Sequence, residues 1–433
     1  MTIIDSRDVP VDRTSRERLH AGGLDYRVVD QNDETRAVPF QRAVHRGFLG
    51  GEPTAETLAD ERKTLVNRRT VGVFENGAAD DASPIGTIDA WVTPMTIPGG
   101  AIDMWAISGV TVAGTHRRRG VARALLEGEL RAAASAGVPI AGLTVSEATI
   151  YGRYGFGSAL PALRYTVDTR RAGWAGFEPS GRLEYRERAD LAADLAVVHE
   201  SDRGSRAGRI PGWPERWVGF AGLSPAENDR DKVRGVRYLD ESGELHGVLV
   251  YSLEDAAGTF RSVLRVRALV ADTADARAAL WRFAVQHDLV DEVTADLQAP
   301  DDPLPWLVAD QRGVKQELHD HGWLRILDLP RALEARQFSA PLDLVIRIDD
   351  PLDFASGAWR LRVDAEGSAS VEKSDGAVVD ATMGIAALSA IYAGGVRAET
   401  LRGAGRITAD AAVADLLDRA FVTFPAPSLD IWY

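Results

Sequence analysis

The sequence predicts a mixed α/β and α+β fold in three segments, and three observations carry that prediction. Short apolar runs bounded by turn residues alternate with a long amphipathic helix in the first third, and the same strand-then-helix theme returns in the second. The remainder passes from a run of strands into helices, the pattern of a separate α+β domain. A chain of 433 residues is also too long for one ordinary core, at roughly 150 residues per domain. The segments are placed at 23–168, 169–322 and 323–433, after a loose tail at 1–22. That tail, beginning MTIIDSRDVPVDRTSRERLH, is charged throughout and lacks the apolar centre of a secretory signal.

In the first segment, residues 69–74 and 85–92 read as strands, and 102–136 as a strand, loop and helix. MWAISGVTV at 104–112 is the strand and AGT at 113–115 the turn. The helix follows because Val121, Leu125, Gly128 and Ala132 share a face, which Leu126 and Leu130 widen. Glu127, Glu129 and Arg131 are expected to turn outward, and the helix to end at Gly137, ahead of Pro139. IAGLTV at 140–145 is a buried strand, a short helix from about Ser146 and Glu147 carries Tyr151, and a strand at 163–168 closes the unit.

The second segment places strands at 184–186 and 264–270 and helices at 191–200 and 274–283, a degenerate copy of the first. DTADA at 272–276 stands where the first copy has THRRRGVA at 115–122. The glycine and the arginines are gone, so only the first copy is expected to bind a coenzyme. The third segment has strands at 323–327, 344–348, 359–363 and 369–372, then helices at 384–393 and 408–420. It ends in FPAPSLDIWY at 424–433, an apolar, proline-stiffened tail suited to docking in a groove.

Composition excludes several chemistries. With no cysteine there is no disulfide, zinc-thiolate or thiol nucleophile, and the eight histidines have no H-E-x-x-H spacing, so no metal is expected. G-x-S-x-G, G-x-x-x-x-G-K and a complete G-x-G-x-x-G are all missing. A formal charge of -14 disfavours nucleic acid and anionic membranes and favours a small cationic substrate. No run of about 18 apolar residues is present to span a membrane, and a cytoplasmic protein is expected.

The chemistry sits in RRRGVA at 117–122, which fits Q/R-x-x-G-x-G/A between a strand and a helix. Such a loop aims free backbone N–H groups, the positive end of a helix dipole and arginine side chains at one spot, which together hold a pyrophosphate. Gly120 and Ala122 are small enough for close approach.

Followed by a strand, Ser146-Glu147 and IYGRYGFG at 150–157, this loop resembles motifs A and B of the GNAT superfamily of N-acetyltransferases. With ALWR at 279–282, DPLP at 302–305, WLRI at 323–326 and ALEAR at 332–336, nearly the whole chain resembles the Eis-type (enhanced intracellular survival) acetyltransferases. The resemblance implies an active GNAT domain, a second GNAT-like domain, a sterol-carrier-like C-terminal domain and assembly as a homohexamer. It implies acetyl-CoA as co-substrate and no metal. Val110, Thr111 and Val112 would pair the pantetheine arm, Arg118, Arg119, Gly120, Val121, Ala122 and Arg123 would cradle the pyrophosphate, and Ser146 and Glu147 would add contacts.

Tyr151 is implied as the acid that protonates the departing thiolate; a phenol of pKa ~10 does this for a thiolate near ~8.5 only when its surroundings help. Tyr433 is implied as the base through its terminal carboxylate, which at pKa ~3.5 needs desolvation or a water relay. The tail's other acid, Asp430, is passed over on the same resemblance, and an asparagine there is expected to be nearly silent where the side chain is solvated. Two positions depart from the family pattern: Trp432 replaces an acid, and HRGFLGGEPTAETLADER at 45–62 contributes no tryptophan.

The expected activity is acetylation of primary amines, with aminoglycosides or similar polyamines as acceptors. A protein-lysine acetyltransferase is one alternative. A lipid- or small-molecule-binding scaffold with a vestigial acetyltransferase is another, against which Arg118, Gly120 and Tyr151 stand intact.

Overall fold

A computed structural model describes residues 4–227, 229–255 and 261–433, so residues 1–3 of the expected tail lie outside it. The chain divides into two compact units. The first comprises Met1–Leu160, His321–Phe424 and Trp432–Tyr433; the second, Pro161–Asp320 and Pro425–Ile431.

In the first unit, strands β1 (Leu24–Val28), β2 (Arg69–Glu75), β3 (Gly86–Ile97), β4 (Gly100–Val112) and β5 (Ile140–Thr144) lie side by side in chain order. Neighbours are antiparallel except β4 and β5, which run parallel. That pair needs a crossover, supplied by helix α4 (Val121–Ser135). Earlier come α1 (Arg13–Ala21), α2 (Glu34–Gly47) and α3 (Ala55–Leu65); α5 (Ala148–Tyr151) follows β5. Val121, Leu125, Leu126 and Leu130 of α4 enter one core with Ile88, Trp105, Ile107, Ala141 and Leu143 from the sheet.

Two expectations fail here for one reason: α4 is covered on both sides. Residues 13–21, expected in the loose tail, form a helix capped by Asp12, whose carboxylate accepts from the Ser15 N–H at 2.7 Å. Its Leu19 is buried in the α4 core, and the Ser15 hydroxyl donates to the Ala124 carbonyl at 2.8 Å. Glu127 and Glu129, expected to face outward, are therefore buried. Arg69 donates to both oxygens of Glu129 at 3.1 Å, and Arg18 and Arg123 donate to Glu127 at 3.0 and 2.6 Å.

The later part of the first unit holds a five-stranded sheet of β13 (Leu342–Asp349), β14 (Gly357–Val363), β15 (Ala369–Lys373), β16 (Ala381–Gly384) and β17 (Ile407–Ala409), in the order β15-β14-β13-β16-β17. Helices Ile385–Ile391 and Ala411–Phe421 accompany it. It follows β12 (Val314–Ile326), whose residues 322–326 pair with β5.

In the second unit, β6 (Gly157–Asp168), β11 (Val290–Gln298), β10 (Ser262–Ala271), β9 (Leu245–Asp255), β8 (Val233–Leu239) and β7 (Arg182–Tyr185) neighbour one another in that order. β10 and β11 are parallel and joined through helix Ala274–Val285, repeating the β4–α4–β5 crossover. Among the described residues, no helix is long and apolar enough to cross a membrane.

Residues 425–431 are docked within this unit. The Ala426 N–H donates to Asp301 at 2.8 Å, the Ser428 N–H to the Ala207 carbonyl at 3.0 Å, and Leu429 and Ile431 are buried. Asp430 is not solvated: it lies 3.3 Å from the buried His199 ring and 3.6 Å from Arg209, which also pairs with Asp202. Burial alone would raise the Asp430 carboxyl, but the charges of Arg209 and His199 outweigh it and hold the group well below the usual carboxylate range. Its contribution to stability is thus present above the unfolded value of about 3.9 and is lost as pH falls through the folded-state value. Asp430→Asn is expected to cost about 2 kcal/mol at pH 7, because the buried Arg209 and His199 lose one charge partner and Arg209 is left with Asp202. The loss should shrink on acidification; a thermal midpoint unchanged at pH 7 refutes this.

Candidate active site

β4 and β5 separate where the site begins. Their pairing runs from Met104↔Ile140 to Ile107↔Leu143 and stops, leaving 108–112 of β4 without a β5 partner. A bulge marks the divergence: Thr87 pairs with Thr111 and Asp89 with Ser108, so Gly109 and Val110 oppose Ile88 alone. Gly109 has φ +60°, and a Cβ there would lie 2.4 Å from an Asp89 carboxylate oxygen, so the bulge requires glycine. α2 approaches the same stretch, since a Cβ on its last residue, Gly47, would sit 2.3 Å from the Thr111 Cβ.

Beyond β4, both Arg118 and Gly120 are left-handed, at φ +64° and +78°. A non-glycine residue adopts this conformation at a cost of about 1 kcal/mol, and such kinks aim successive N–H groups toward one side. Gly120 starts α4 with no side-chain cap, so the first N–H groups of the helix are left for a ligand. In the second unit, Thr273 occupies this position, its hydroxyl accepting from the Ala276 N–H at 3.2 Å, and Asp275 follows in the first turn. This helix start, unlike that of α4, is capped by its own side chain.

The loop's side chains divide. Arg118 is exposed, Arg119 reaches the Gly22 carbonyl at 3.2 Å and Glu75 at 3.5 Å, and Arg123 pairs with Glu127 at 2.6 Å. Val121 is buried in the core, so only its main chain faces the loop, with Ala122 beside it. Ser146 and Glu147 are exposed, and Glu147 caps α5, accepting from the Thr149 hydroxyl at 2.7 Å, which lowers its carboxyl.

Tyr151 ends α5 only 6% exposed, edge-on to Phe156 with ring centres 6.1 Å apart. Burial pushes its phenol up, with a hydrogen bond to Ser146 acting the other way; the group keeps its proton at neutral pH, but the shift is opposite to the help that a proton donor to a thiolate needs. Tyr433 lies on β5. Its N–H donates to the Thr144 hydroxyl at 3.3 Å, and that hydroxyl donates to its main-chain oxygen. A Cβ on Gly142 would come 3.2 Å from the Tyr433 phenol oxygen, and the ring meets Trp91 edge-on at 5.1 Å. The neighbouring Trp432 stands edge-on to His321 at 4.4 Å.

The sequence-predicted residues Val110, Thr111, Val112, Gly120 and Tyr151 thus border the divergence of β4 and β5, and Tyr433 grips Thr144 at the end of β5. Arg119 and Arg123 are engaged by acids instead. Sequence reasoning missed Thr144, Trp91, Arg68 and Asp89; only Gly109, a glycine inside a strand pattern, carried a signal for the bulge. A cavity of about 540 Å3 is lined by Arg42, His45 and Arg46 of α2 with Glu52, Asp81 and Ser83, and His45 is 2.8 Å from Glu61 of α3. In the second unit, Asp240, Glu244 and His246 come together at the β8–β9 hairpin, with the His246 ring 2.9 Å from Asp272.

Three family models match: an acetyltransferase (GNAT) domain over residues 25–159, a second over 211–326 and a sterol carrier protein domain over 329–430. N-acetyltransferase Eis of Mycobacterium tuberculosis is 31% identical over 388 residues, covering 87% of this chain and 91% of that protein. An N-acetyltransferase of Streptomyces avermitilis is 32% identical, covering 89% of this chain and 94% of its own. Among solved structures, Eis1 from Mycobacterium abscessus superimposes with a TM-score of 0.78 at 26% identity, over 94% of this chain and 100% of that one. A GCN5-related N-acetyltransferase from Kribbella flavida gives 0.70 at 26%, over 95% and 100%.

Proposed function

Because the chain belongs to the Eis-type family of GNAT N-acetyltransferases, two GNAT domains followed by a sterol carrier domain, we propose that it moves the acetyl group of acetyl-CoA onto a primary amine where β4 and β5 part. The observation that carries this reading is the divergence itself, flanked by an uncapped helix N-terminus and a buried, protonated tyrosine.

The main chain of Val110, Thr111 and Val112 pairs the pantetheine arm, and the loop from Arg118 to Arg123 holds the pyrophosphate, with Ser146 and Glu147 beyond it. The amine nitrogen attacks the thioester carbonyl, the C–S bond of the tetrahedral intermediate breaks, and the thiolate takes the proton of the Tyr151 hydroxyl. The ammonium proton passes to the terminal carboxylate of Tyr433, directly or through a water, while Thr144 fixes that carboxylate in place. The functional borders are those at 23–168, 169–322 and 323–433.

The acceptor is a small polyamine of the aminoglycoside kind, drawn by the net charge of -14. Free-thiol release from acetyl-CoA across a panel of aminoglycosides, simple polyamines and lysine peptides tests this; turnover confined to peptides would overturn it. By family resemblance the protein is a cytoplasmic homohexamer, which light scattering of the intact protein checks.

Only the first domain binds coenzyme, since the copy's helix is already capped by Thr273. Titration calorimetry should give one site per chain, and Arg118→Ala should weaken acetyl-CoA by about 10-fold with kcat little changed. Two sites per chain would contradict it.

A further inference from the structure

A chain end frays unless it is held, yet a group acting on a proton must keep its place to within about 0.5 Å. The main chain of Tyr433 is gripped by one short side chain, Thr144. Its ring has a second support. Trp91 meets that ring edge-on at 5.1 Å, and the Arg68 guanidinium lies 3.7 Å above the face of Trp91. Asp89 holds Arg68 at 2.8 Å, both side chains almost wholly buried, and Asp89 and Trp91 share one face of β3. Asp89 is also the carboxylate that lies over Gly109 at the bulge.

We infer that Arg68 and Trp91 are positioning residues for Tyr433, forming a stack anchored on Asp89 that fixes the terminal tyrosine against β5. Its effect on turnover rests on the reading of the terminal carboxylate as base; the hold on the ring does not. Arg68 contributes through the cation–π contact that fixes the Trp91 rotamer, and Trp91 in turn packs on the Tyr433 ring. One carboxylate, Asp89, therefore serves both the opening of β4 and the seating of the tail.

Trp91→Leu and Arg68→Lys should each lower kcat by about 10-fold, as a displacement well under 1 Å does, with acetyl-CoA affinity unchanged. Carboxypeptidase A, which removes C-terminal aromatic residues, should release Tyr433 from both variants roughly 10-fold faster than from the parent. In a chain lacking Tyr433, Trp91→Leu should change kcat no further, whereas a merely structural role would stay additive. Should Trp91→Leu fail to bind coenzyme, Trp91→Phe and Arg68→Lys carry the same two readouts. Unaltered release of Tyr433, or full additivity in the shortened chain, overturns the inference. Faster release with intact kcat upholds the stack and removes the terminal carboxylate from the mechanism.

Discussion

Tyr151→Phe is expected to lower kcat by about 10²-fold or more and to leave the acetyl-CoA Kd almost unchanged. The substitution removes one oxygen and keeps the ring that packs on Phe156, so α5 and the adjoining end of β5 stay as they are. On the proposed mechanism, what goes is the proton needed when the C–S bond breaks, an interaction made only in the transition state. The direction of the phenol's shift adds a second readout. Burial raises it, so the acid form persists through neutral pH and any alkaline fall in kcat belongs at or above about 10. Tyr151→Phe should show no such limb. Unimpaired turnover in single-turnover measurements would remove Tyr151 from the mechanism.

Appending a few residues after Tyr433 should lower kcat/KM on the best amine by about 10²-fold while folding and coenzyme affinity survive. The Tyr433 ring can keep its place against Trp91, but the charge leaves Thr144 and moves several ångströms down the added chain. Deleting Trp432 and Tyr433 should give the same result. Asp430→Asn belongs to a different class, because that carboxylate is spent on Arg209 and His199 and its loss is read as stability. Full activity in the extended enzyme would transfer the base role to Glu147 or a water chain.

The first GNAT domain was legible because its signals are local. A strand at 104–112, a glycine-arginine loop and an apolar helical stripe lie within one short stretch, and the copy betrays itself by lacking the loop. The segment 13–21 was misread because RTSRERLHA buries only Ser15 and Leu19, too few for a visible stripe. Helices α2 and α3 went unread as well, the first with Pro39 inside it. Glu127 and Glu129 were misread because a helical pattern assumes one wet face, and α4 has none there. Trp91, Arg68 and Thr144 could not be found beforehand: what makes them matter is Tyr433, brought to them from the far end of the chain. The same distance hid Arg209 and His199 from Asp430.

The bulge at Gly109 has a consequence for how such a protein diversifies. It leaves 108–112 of β4 without a β5 partner, so on the proposed reading the donor meets amide groups that every residue at 110–112 would supply, and substitutions there should leave donor recognition standing. The cavity beside α2 is lined mainly by side chains, among them Arg42, His45, Arg46, Glu52 and Asp81, each open to exchange. If the proposed donor site holds and the acceptor enters by this cavity, inheritance constrains the two substrates unequally: the donor is met by main chain, while the acceptor range can drift under selection. Gly109 is the exception, since any side chain there strikes Asp89, and deep mutational scanning should find it among the least replaceable positions of β4.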